Sequence, residues 1–311
     1  MSTTDKAPRE HILGTQDFVA DGRNDGVLVY VNGALVPRAE ATVSVFDAGF
    51  VLGDGLWEGI RLHRGKLAFL DAHIERLYSG AKAIDLDIGL SRAELVDAVW
   101  GVLRANGMSD GVHIRLMVTR GRKRTPNQDP RHCLGAATIV IVAEYKVPPP
   151  SRDKGARLFT STIRSSPPDI FDMRLNSHSR LNFITALLQA IKAGGDEALM
   201  LDPNGFIASC NSTNFFFVKN GAVFTSSGEY CFNGITRGNV MALCRENGIE
   251  LVVGNHALGQ AYAADEAFVT GTMGGIAPVC SIDGRMLGPA ELPGPVTMRL
   301  RKLYQDLLDG C

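Results

Sequence analysis

The chain has 311 residues with 32 basic and 33 acidic side chains, so its net charge is −1. This near-neutral balance excludes a protein that a broad positive field holds to nucleic acid or to an anionic membrane. Hydrophobic residues make up 45% and charged residues 21% of the sequence, which excludes a disordered chain. One compact core rarely grows beyond about 250–300 residues, so the length favours two domains.

Six cysteines are scattered along the sequence without a CxxC pair: Cys133, Cys210, Cys231, Cys244, Cys280 and Cys311. Neither these cysteines nor the seven histidines show the spacing of metal ligands, so we expect no metal site. Residues 1–17 are polar without the apolar region of a signal peptide, and no apolar run reaches about 18 residues. These features predict a reduced, soluble, cytoplasmic protein without a membrane segment.

Turn residues and hydrophobic periodicity predict an α/β first half. Asn32-Gly33 and Arg64-Gly65 each lie between alternating apolar residues, which is typical of β-hairpins. Ser91 is a candidate N-cap and Gly107 a stop signal for a helix between them. The predicted elements are hairpins over 27–37 and 59–71, helices over 72–85 and 92–107, and strands over 112–119 and 136–144.

Three consecutive prolines, Pro148, Pro149 and Pro150, mark the predicted boundary between two domains. A proline run forms a stiff, extended spacer and disfavours both a helix and a central strand. The predicted organisation is an N-terminal extension over 1–26, an α/β domain over 27–147, a linker over 148–155 and a second α/β domain over 156–311.

The second half continues the alternation of strands, hairpins and helices. Hairpin turns are predicted at Asn220-Gly221 and Asp283-Gly284, with a further turn at Pro203-Asn204-Gly205. Strands are predicted over 156–163, 197–202, 206–209, 250–253 and 266–270, a hairpin over 214–225, and helices over 180–193, 237–248 and 294–309. The fold class is therefore α+β or mixed α/β in two lobes.

Three segments could hold an anion. Asn233–Arg237 precedes a predicted helix, whose N-terminus would offer unpaired backbone N–H groups to phosphate, unless Thr236 is an ordinary N-cap. The glycine-rich segment Thr270–Gly275 follows an apolar strand and could form an anion nest or a plain turn. The basic segment Arg120–Arg124 could clamp a carboxylate or phosphate, or remain a solvated charge run.

Arg115 lies inside the predicted strand over 112–119. Strand alternation puts it on one face with Met117 and Thr119. If that face is covered, the arginine requires an anionic partner; if the face is solvated, the residue carries no functional meaning. Spacing alone specifies no catalytic Ser-His-Asp or Cys-His set.

Longer motifs carry a resemblance to a known family. In the first half they are SVFDAGFVLGDGLWEGIR from Ser44 and DAHIERL from Asp71. In the second half they are DEALMLD from Asp196, NFFFVKNG from Asn214, GITR from Gly234, ADEAFVTGT from Ala264 and GPVT from Gly294. From about residue 27 to 308 the sequence resembles the class IV, or fold-type-IV, pyridoxal-phosphate aminotransferases, which include branched-chain and D-amino-acid aminotransferases, (R)-amine transaminases and aminodeoxychorismate lyase.

The resemblance implies a two-domain fold with pyridoxal or pyridoxamine 5'-phosphate in the interdomain cleft of a homodimer. It implies a small-molecule amino donor and a 2-oxo acid acceptor as partners, and neither nucleic acid nor a membrane. The positions that match the family's cofactor phosphate site are Arg76, Ile235, Thr236, Gly271 and Thr272. The positions that match its substrate pocket are Phe50, Leu52, Trp57 and Arg61, with Arg115 and Arg124 near the substrate carboxylate.

The sequence departs from the family pattern at the residues that control the cofactor ring. In the family, the lysine that forms the Schiff base precedes an asparagine, and that asparagine matches Asn182. The position of the lysine therefore falls on Ser179 or His178, or on Arg180 in a shifted register. No lysine occurs between residues 155 and 191. Ser209 replaces the glutamate that pairs with the pyridine nitrogen, and Phe183 stands where some members have tyrosine.

Two functions from different classes follow from this combination. The first is an aminotransferase-like enzyme that moves an amino group between an amino acid or amine and a 2-oxo acid, with its cofactor bound without a covalent bond. The second is an inactive or repurposed homologue that binds pyridoxal phosphate or another phosphorylated ligand. A lyase is a third alternative, although its chemistry also needs the family lysine.

Overall fold

A computed structural model describes residues 19–149, 151–289 and 291–311, in which two β-sheets are covered by helices. Most of the predicted N-terminal extension, residues 1–18, and Pro150 of the predicted linker lie outside the described residues. The mixed α and β composition confirms the predicted fold class, because each half combines one sheet with helices packed against it. The domain boundaries stay a prediction.

The first half contains a six-stranded antiparallel sheet in the order β2-β1-β6-β5-β3-β4. Its core fills the space between one face of the sheet and the two long helices. The elements are β1 (Leu28–Val31), β2 (Ala34–Pro37), α1 (Ala48–Leu52), β3 (Gly55–His63), β4 (Lys66–Leu67), α2 (Leu70–Ala83), α3 (Arg92–Ala105), β5 (Val112–Thr119) and β6 (Thr138–Tyr145).

Local sequence signals explain these elements. Asn32 and Gly33 have φ values of 49° and 95°, so the two-residue turn twists with the strands that it joins. Ser91 accepts a hydrogen bond from the backbone of Glu94, whose side chain accepts one from Ser91 in return, and this capping box starts α3. Both predicted hairpins and both predicted helices of this half are confirmed.

The second half contains a nine-stranded mixed sheet in the order β12-β11-β10-β13-β14-β7-β8-β9, with β15 paired to β14. The elements are α4 (Ser151–Lys154), β7 (Ala156–Thr160), α5 (Leu181–Lys192), β8 (Glu197–Leu201), β9 (Ile207–Cys210), β10 (Asn214–Lys219), β11 (Ala222–Ser226), α6 (Ile235–Glu246), β12 (Leu251–Gly254), α7 (Leu258–Tyr262), β13 (Glu266–Gly271), β14 (Gly275–Ile282), β15 (Arg285–Met286) and α8 (Pro295–Gly310).

Several predicted boundaries were wrong. The predicted linker is not free of helix, because residues 151–154 form α4 immediately after the prolines. The short helices α1 and α7 were not predicted, since five residues are too few for a periodic pattern. Helix α6 begins at Ile235 with Gly234 as its N-cap, so Thr236 lies inside the first turn and is not the cap.

A segment of the second half extends the sheet of the first half. The backbone N–H of Trp57 in β3 donates to the carbonyl of Asn176 at 2.9 Å, and the N–H of His178 donates to the carbonyl of Gly55 at 2.9 Å. Leu56 and Ser177 form the bridge between them. This pairing holds the residues just before α5 against β3 and thereby brings the two halves together at one place.

Residues 19–149, 151–289 and 291–311 contain no helix that is both long and apolar enough to cross a membrane. Within the same ranges, no three His, Cys, Asp or Glu side chains are grouped as metal ligands would be. All six cysteines are free thiols.

Candidate functional site: a phosphate-binding cleft lined by arginines

A buried carboxylate organises the first wall of the site. Glu58 of β3 is fully buried and binds two side chains of α2. Arg76 donates to it from Nε at 2.8 Å and from Nη2 at 2.6 Å, and Nδ1 of His73 lies 2.7 Å away. Burial alone would raise the pKa of Glu58, but the hydrogen bonds from Arg76 and His73 outweigh it and hold the pKa below its usual value. The ion pair therefore fixes the direction of the Arg76 guanidinium.

The guanidinium of Arg76 points at the start of α6. Its Nη1 donates to the carbonyl of Asn233 at 3.2 Å. Helix α6 starts after Gly234 without a side-chain cap, so no N-cap side chain accepts from the N–H groups of Ile235 and Thr236. A cation and an uncapped helix N-terminus therefore meet at one point, and this arrangement suits a phosphate group.

Asn214 joins the start of α6 to the neighbouring strand β13. Its Oδ1 accepts from the N–H of Gly234 at 3.2 Å, and a Cβ atom on Gly234 would lie 2.3 Å from that oxygen, so the approach requires glycine. Asn214 pairs across the sheet with Thr270, the residue that precedes Gly271 and Thr272. Within the described ranges, the buried hydroxyl of Thr270 has no hydrogen-bond partner. The role of Gly271 and Thr272 in binding phosphate stays a prediction.

Aromatic rings and two further guanidiniums form the second wall. The Cζ atom of Arg115 lies 3.4 Å from the centre of the Trp57 ring. The Cζ atom of Arg180 lies 5.5 Å from Trp57, 4.9 Å from Phe183 and 5.8 Å from Phe232. The Cζ atom of Arg76 lies 4.3 Å from the same Phe232 ring, so Phe232 connects the two walls. Arg115 is thus on a covered face of its strand, which removes the solvent-facing alternative.

A cavity of about 180 Å³ lies between β3, α2 and residues 174–176. Trp57, Glu58, Arg76 and Asn176 line it together with residues of α2 and the adjoining Arg174 and Leu175, whereas Arg115, Arg180 and the start of α6 do not. The cavity therefore lies where the segment of the second half pairs with β3.

The three candidate positions for the family lysine differ in where they point. The hydroxyl of Ser179 donates to the carbonyl of Gly53 at 3.2 Å, so it supports the loop after α1. Burial, with a smaller contribution from Arg115, lowers the pKa of His178 to about 4, so its ring is neutral at pH 7. The Arg180 side chain alone reaches the cluster of rings, and the carboxamide oxygen of Asn176 accepts a hydrogen bond from it.

Ser209 is buried and fully hydrogen bonded within the sheet. Its Oγ donates to the carbonyl of Thr213 at 2.8 Å and accepts from Nδ2 of Asn214 at 3.1 Å. Because its one hydroxyl hydrogen is already used, Ser209 offers an incoming ring nitrogen only an oxygen lone pair. A carboxylate at this position would instead keep such a nitrogen protonated.

The other residues predicted for the substrate pocket do not lie among the Trp57, Phe183 and Phe232 rings. Arg61 is buried beside Tyr304, burial lowers its pKa, and its Nε has no hydrogen-bond partner among the residues described. Phe50 is 73% exposed on α1, and Arg124 is exposed, so the single chain encloses neither. Their role in the substrate pocket stays a prediction.

The basic segment 120–124 is not a solvated charge run. Arg120 makes two hydrogen bonds to Asp54, at 2.7 and 3.1 Å, and donates to the carbonyls of Ile84 and Asp85. Lys123 is buried and donates to the carbonyl of Asp129 at 3.0 Å. Arg120 therefore ties the segment to the residues after α1 and α2, and Lys123 stabilises its own loop, while Arg122 and Arg124 are exposed.

The comparison with known families agrees with this geometry. The family model described as amino-transferase class IV matches residues 55–282. The chain belongs to the class IV aminotransferase family. The matched range includes β3, α2, β5, α6, β13 and the N-cap of α5, which together carry the arginines and the helix start described above. The resemblance inferred from the sequence motifs is thereby confirmed.

Individual relatives are similar in sequence to this class IV chain over most of its length. It is 40% identical to branched-chain-amino-acid aminotransferase-like protein 2 of Arabidopsis thaliana over 92% of this chain and 51% of that protein. It is 40% identical to a putative branched-chain-amino-acid aminotransferase of Methanocaldococcus jannaschii over 90% of this chain and 96% of that protein. The chain thus spans about half the length of the Arabidopsis relative.

Solved structures of the family superpose closely. A T.th. branched-chain amino acid aminotransferase complexed with N-(5'-phosphopyridoxyl)-L-glutamate matches with a TM-score of 0.84 at 32% identity, covering 92% of this chain and 95% of that one. The Escherichia coli branched-chain amino acid aminotransferase matches with a TM-score of 0.85 at 26% identity and similar coverage. This confirms the fold-type-IV architecture.

Sequence reasoning missed four residues of this class IV site: Glu58, Asn176, Asn214 and Phe232. Glu58 lies in a strand with no local charge pattern to mark it, because its partners come from α2. Asn176 and Phe232 are in loops, where side-chain direction is set by tertiary contacts. Asn214 was quoted only as the start of a motif, and its link to Gly234 spans twenty residues.

We expect Glu58→Gln to lower the free energy of unfolding by about 3–5 kcal/mol, because it leaves a partly buried guanidinium without its counter-charge. Equilibrium denaturation in urea measures the change. Glu75→Gln is the matched control on the exposed face of α2, and it should leave the midpoint almost unchanged because its ion pair with Arg92 is solvated. Equal midpoints for Glu58→Gln and the parent chain would contradict the role given to this ion pair.

Proposed function

We propose that this chain binds pyridoxal or pyridoxamine 5'-phosphate in the cleft and moves an amino group between an amino acid or amine and a 2-oxo acid. The observation that carries the proposal is the meeting of the Arg76 guanidinium with the uncapped start of α6. Family membership supports the reaction class, and the T.th. relative is described as complexed with a phosphopyridoxyl amino acid.

The residues present fit the phosphate end of this cofactor. Arg76, the N–H groups of Ile235 and Thr236, and Thr272 would hold the phosphate. The buried hydroxyl of Thr270, two residues before Thr272, has no hydrogen-bond partner among the described residues, so it has a hydrogen left to donate.

The residues at the ring end support a cofactor that is bound without a covalent bond. When bound, the cofactor supplies an electron-withdrawing ring that stabilises negative charge on the substrate carbon. The aromatic side chains of Phe183 and Phe232 would position that ring, and Ser209 would accept a hydrogen bond from it. No lysine side chain lies between residues 155 and 191 to form an imine, and Arg180 stays protonated.

Binding of the cofactor is the direct test of this function. We expect pyridoxamine 5'-phosphate to bind in titration calorimetry, and Thr272→Val to weaken it about three- to tenfold by removing one hydrogen bond. Arg76→Lys keeps the positive charge but loses the two parallel hydrogen bonds that a guanidinium donates to a phosphate, so it should weaken binding further. Arg92→Gln, an exposed change on α3, is the control. Unchanged affinity in both site variants would refute the proposed phosphate site.

Amino-group exchange separates the enzyme from a non-catalytic binder. The protein loaded with pyridoxamine 5'-phosphate is incubated with a panel of 2-oxo acids, and the amino acids formed are measured against a heat-killed sample. Binding without any exchange would favour a repurposed binding protein. Release of a 2-oxo acid and ammonia from an amino acid would favour a lyase.

A lysine placed among the Trp57, Phe183 and Phe232 rings should restore covalent attachment of the cofactor. We expect Arg180→Lys, incubated with pyridoxal 5'-phosphate and reduced with borohydride, to yield an adduct at residue 180 by mass spectrometry. Ser179→Lys should yield none, because the Ser179 side chain points to the carbonyl of Gly53 and away from the rings. The parent chain should carry no adduct in residues 155–191. An adduct in Ser179→Lys with none in Arg180→Lys would instead place the family's lysine position at residue 179.

We propose that two copies of the chain pair through exposed apolar surface and that the protein works in a reducing cytoplasm. Leu181, Ile184 and Leu188 form an exposed stripe on α5, with exposures of 76%, 52% and 49%. Phe50 adds a further apolar side chain on α1. Contiguous exposed apolar residues are typical of interfaces, and free thiols persist in reducing compartments.

The oligomeric state tests the role of the α5 stripe. We expect a dimer in size-exclusion chromatography with light scattering, and a shift toward monomer in Ile184→Glu because a buried charge opposes association. Met286→Glu is the control, since Met286 is equally apolar and 78% exposed on β15. A monomeric parent chain would contradict the pairing.

A further inference from the structure

Lys123 and Cys133 lie opposite each other in the short hairpin that follows β5. The backbone hydrogen bonds on either side run from the N–H of Leu134 to the carbonyl of Arg122 at 2.7 Å and from the N–H of Arg124 to the carbonyl of His132 at 2.8 Å. Lys123 and Cys133 are therefore the pair between two such bonds, where an antiparallel ladder brings opposed side chains closest. Nζ of Lys123 donates a hydrogen bond to Sγ of Cys133 at 3.7 Å.

The ammonium group of Lys123 is buried without a counter-charge. Only 2% of the side chain is exposed, and its other hydrogen-bond acceptor is the neutral carbonyl of Asp129, at 3.0 Å. Within residues 19–149, 151–289 and 291–311, no carboxylate forms an ion pair with it. A buried cation of this kind costs free energy, and the sulfur of Cys133 is the neighbouring atom that can take a negative charge. A cation beside a cysteine favours the thiolate, which is the form that attacks oxidants.

The sulfur of Cys133 is open to solvent on the side away from the lysine. Cys133 is half-buried and lines an open pocket of about 440 Å³ together with Arg120 and Arg131. Lys123 does not line this pocket. A small reagent that enters from solvent therefore meets the sulfur first, and the amine lies directly behind the atom that has reacted.

We propose that Lys123 and Cys133 form a reversible sulfur–nitrogen crosslink when the protein meets a hydroperoxide. In the first step the thiol attacks the peroxide: the O–O bond breaks, the sulfur is oxidised to a sulfenic acid, and the peroxide is reduced to an alcohol or to water. In the second step Nζ of Lys123 attacks that sulfur: an N–S bond forms, the S–O bond breaks, and one water and one proton leave. The peroxide is the only oxidant that the two steps need.

A small thiol reverses the crosslink. It attacks the sulfur, the N–S bond breaks, Lys123 regains its amine, and a mixed disulfide forms on Cys133, which a second thiol then releases. While it lasts, the link replaces the unpaired buried ammonium by a neutral nitrogen and keeps Cys133 from oxidation to the sulfinic acid, which thiols do not reverse. A transient oxidation of this kind is compatible with a chain whose cysteines are otherwise free thiols.

Peptide mapping of the oxidised protein tests the crosslink. The full chain is treated with hydrogen peroxide, its remaining thiols are alkylated, and the unreduced sample is digested with trypsin. We expect residues 123–124 to be joined to residues 132–146, because a modified Lys123 is no longer cleaved. The mass should lie two hydrogen atoms below the sum of the two free peptides. Dithiothreitol should restore the free thiol and cleavage after Lys123.

Substitutions assign the roles of the two residues. In Lys123→Met, dimedone, which traps sulfenic acids, should label Cys133 about tenfold more than in the parent chain, because an amine held against the sulfur reacts faster than a reagent in solution. Cys133→Ser should give no crosslink. Cys280→Ser is the matched control: Cys280 is also a half-buried free thiol, so this variant should crosslink like the parent. Circular dichroism checks the fold of each variant, and the parent chain gives a result even where Lys123→Met does not fold.

Several results would overturn the crosslink. They are a parent chain in which Cys133 becomes sulfinic acid while Lys123 stays free, a bond from Cys133 to a different residue, and equal dimedone labelling of the parent and of Lys123→Met. A thiol-reversible link between residues 123–124 and 132–146 that is absent from Cys133→Ser supports it. None of these results depends on binding of pyridoxamine 5'-phosphate, so the crosslink and the proposed function stand or fall separately.

Discussion

The carboxylate of Glu58 is the contact on which the rest of the cleft depends. It is fully buried in β3, and it is stabilised there only because Arg76 and His73 of α2 both donate to it. The ion pair fixes α2 on the sheet and aims a guanidinium at the start of α6. Without this charge, the helix N-terminus of the second half would face no cation from the first.

The second constraint is the short backbone pairing between β3 and residues 176–178. It carries Asn176 and Arg180 from the second half to the edge of the first sheet, where Trp57 already holds Arg115. Backbone hydrogen bonds depend little on side-chain identity, so this pairing would persist while the residues around it changed. The position of this wall therefore rests on backbone contacts, whereas the first wall rests on the side-chain ion pair of Glu58 and Arg76.

The two walls differ in how their charges are balanced. Arg76 has its carboxylate within the protein, whereas Arg115 and Arg180 have an aromatic ring and a neutral amide. Unpaired cations in a half-buried site cost free energy unless a ligand supplies the anion.

The sequence by itself determined the hairpins, the long helices and the family, because turn residues, caps and contiguous motifs report local structure. It could not show that Arg120 pairs with Asp54, that Lys123 is buried in its own loop, that Phe50 is exposed, or that α6 starts at Ile235. Nor could it show that the side chain of Arg180 reaches the aromatic rings while that of Ser179 binds the carbonyl of Gly53. Only the tertiary structure decided these points, because side-chain direction depends on contacts between residues distant in the chain, as between Glu58 and Arg76 or Asn176 and Trp57.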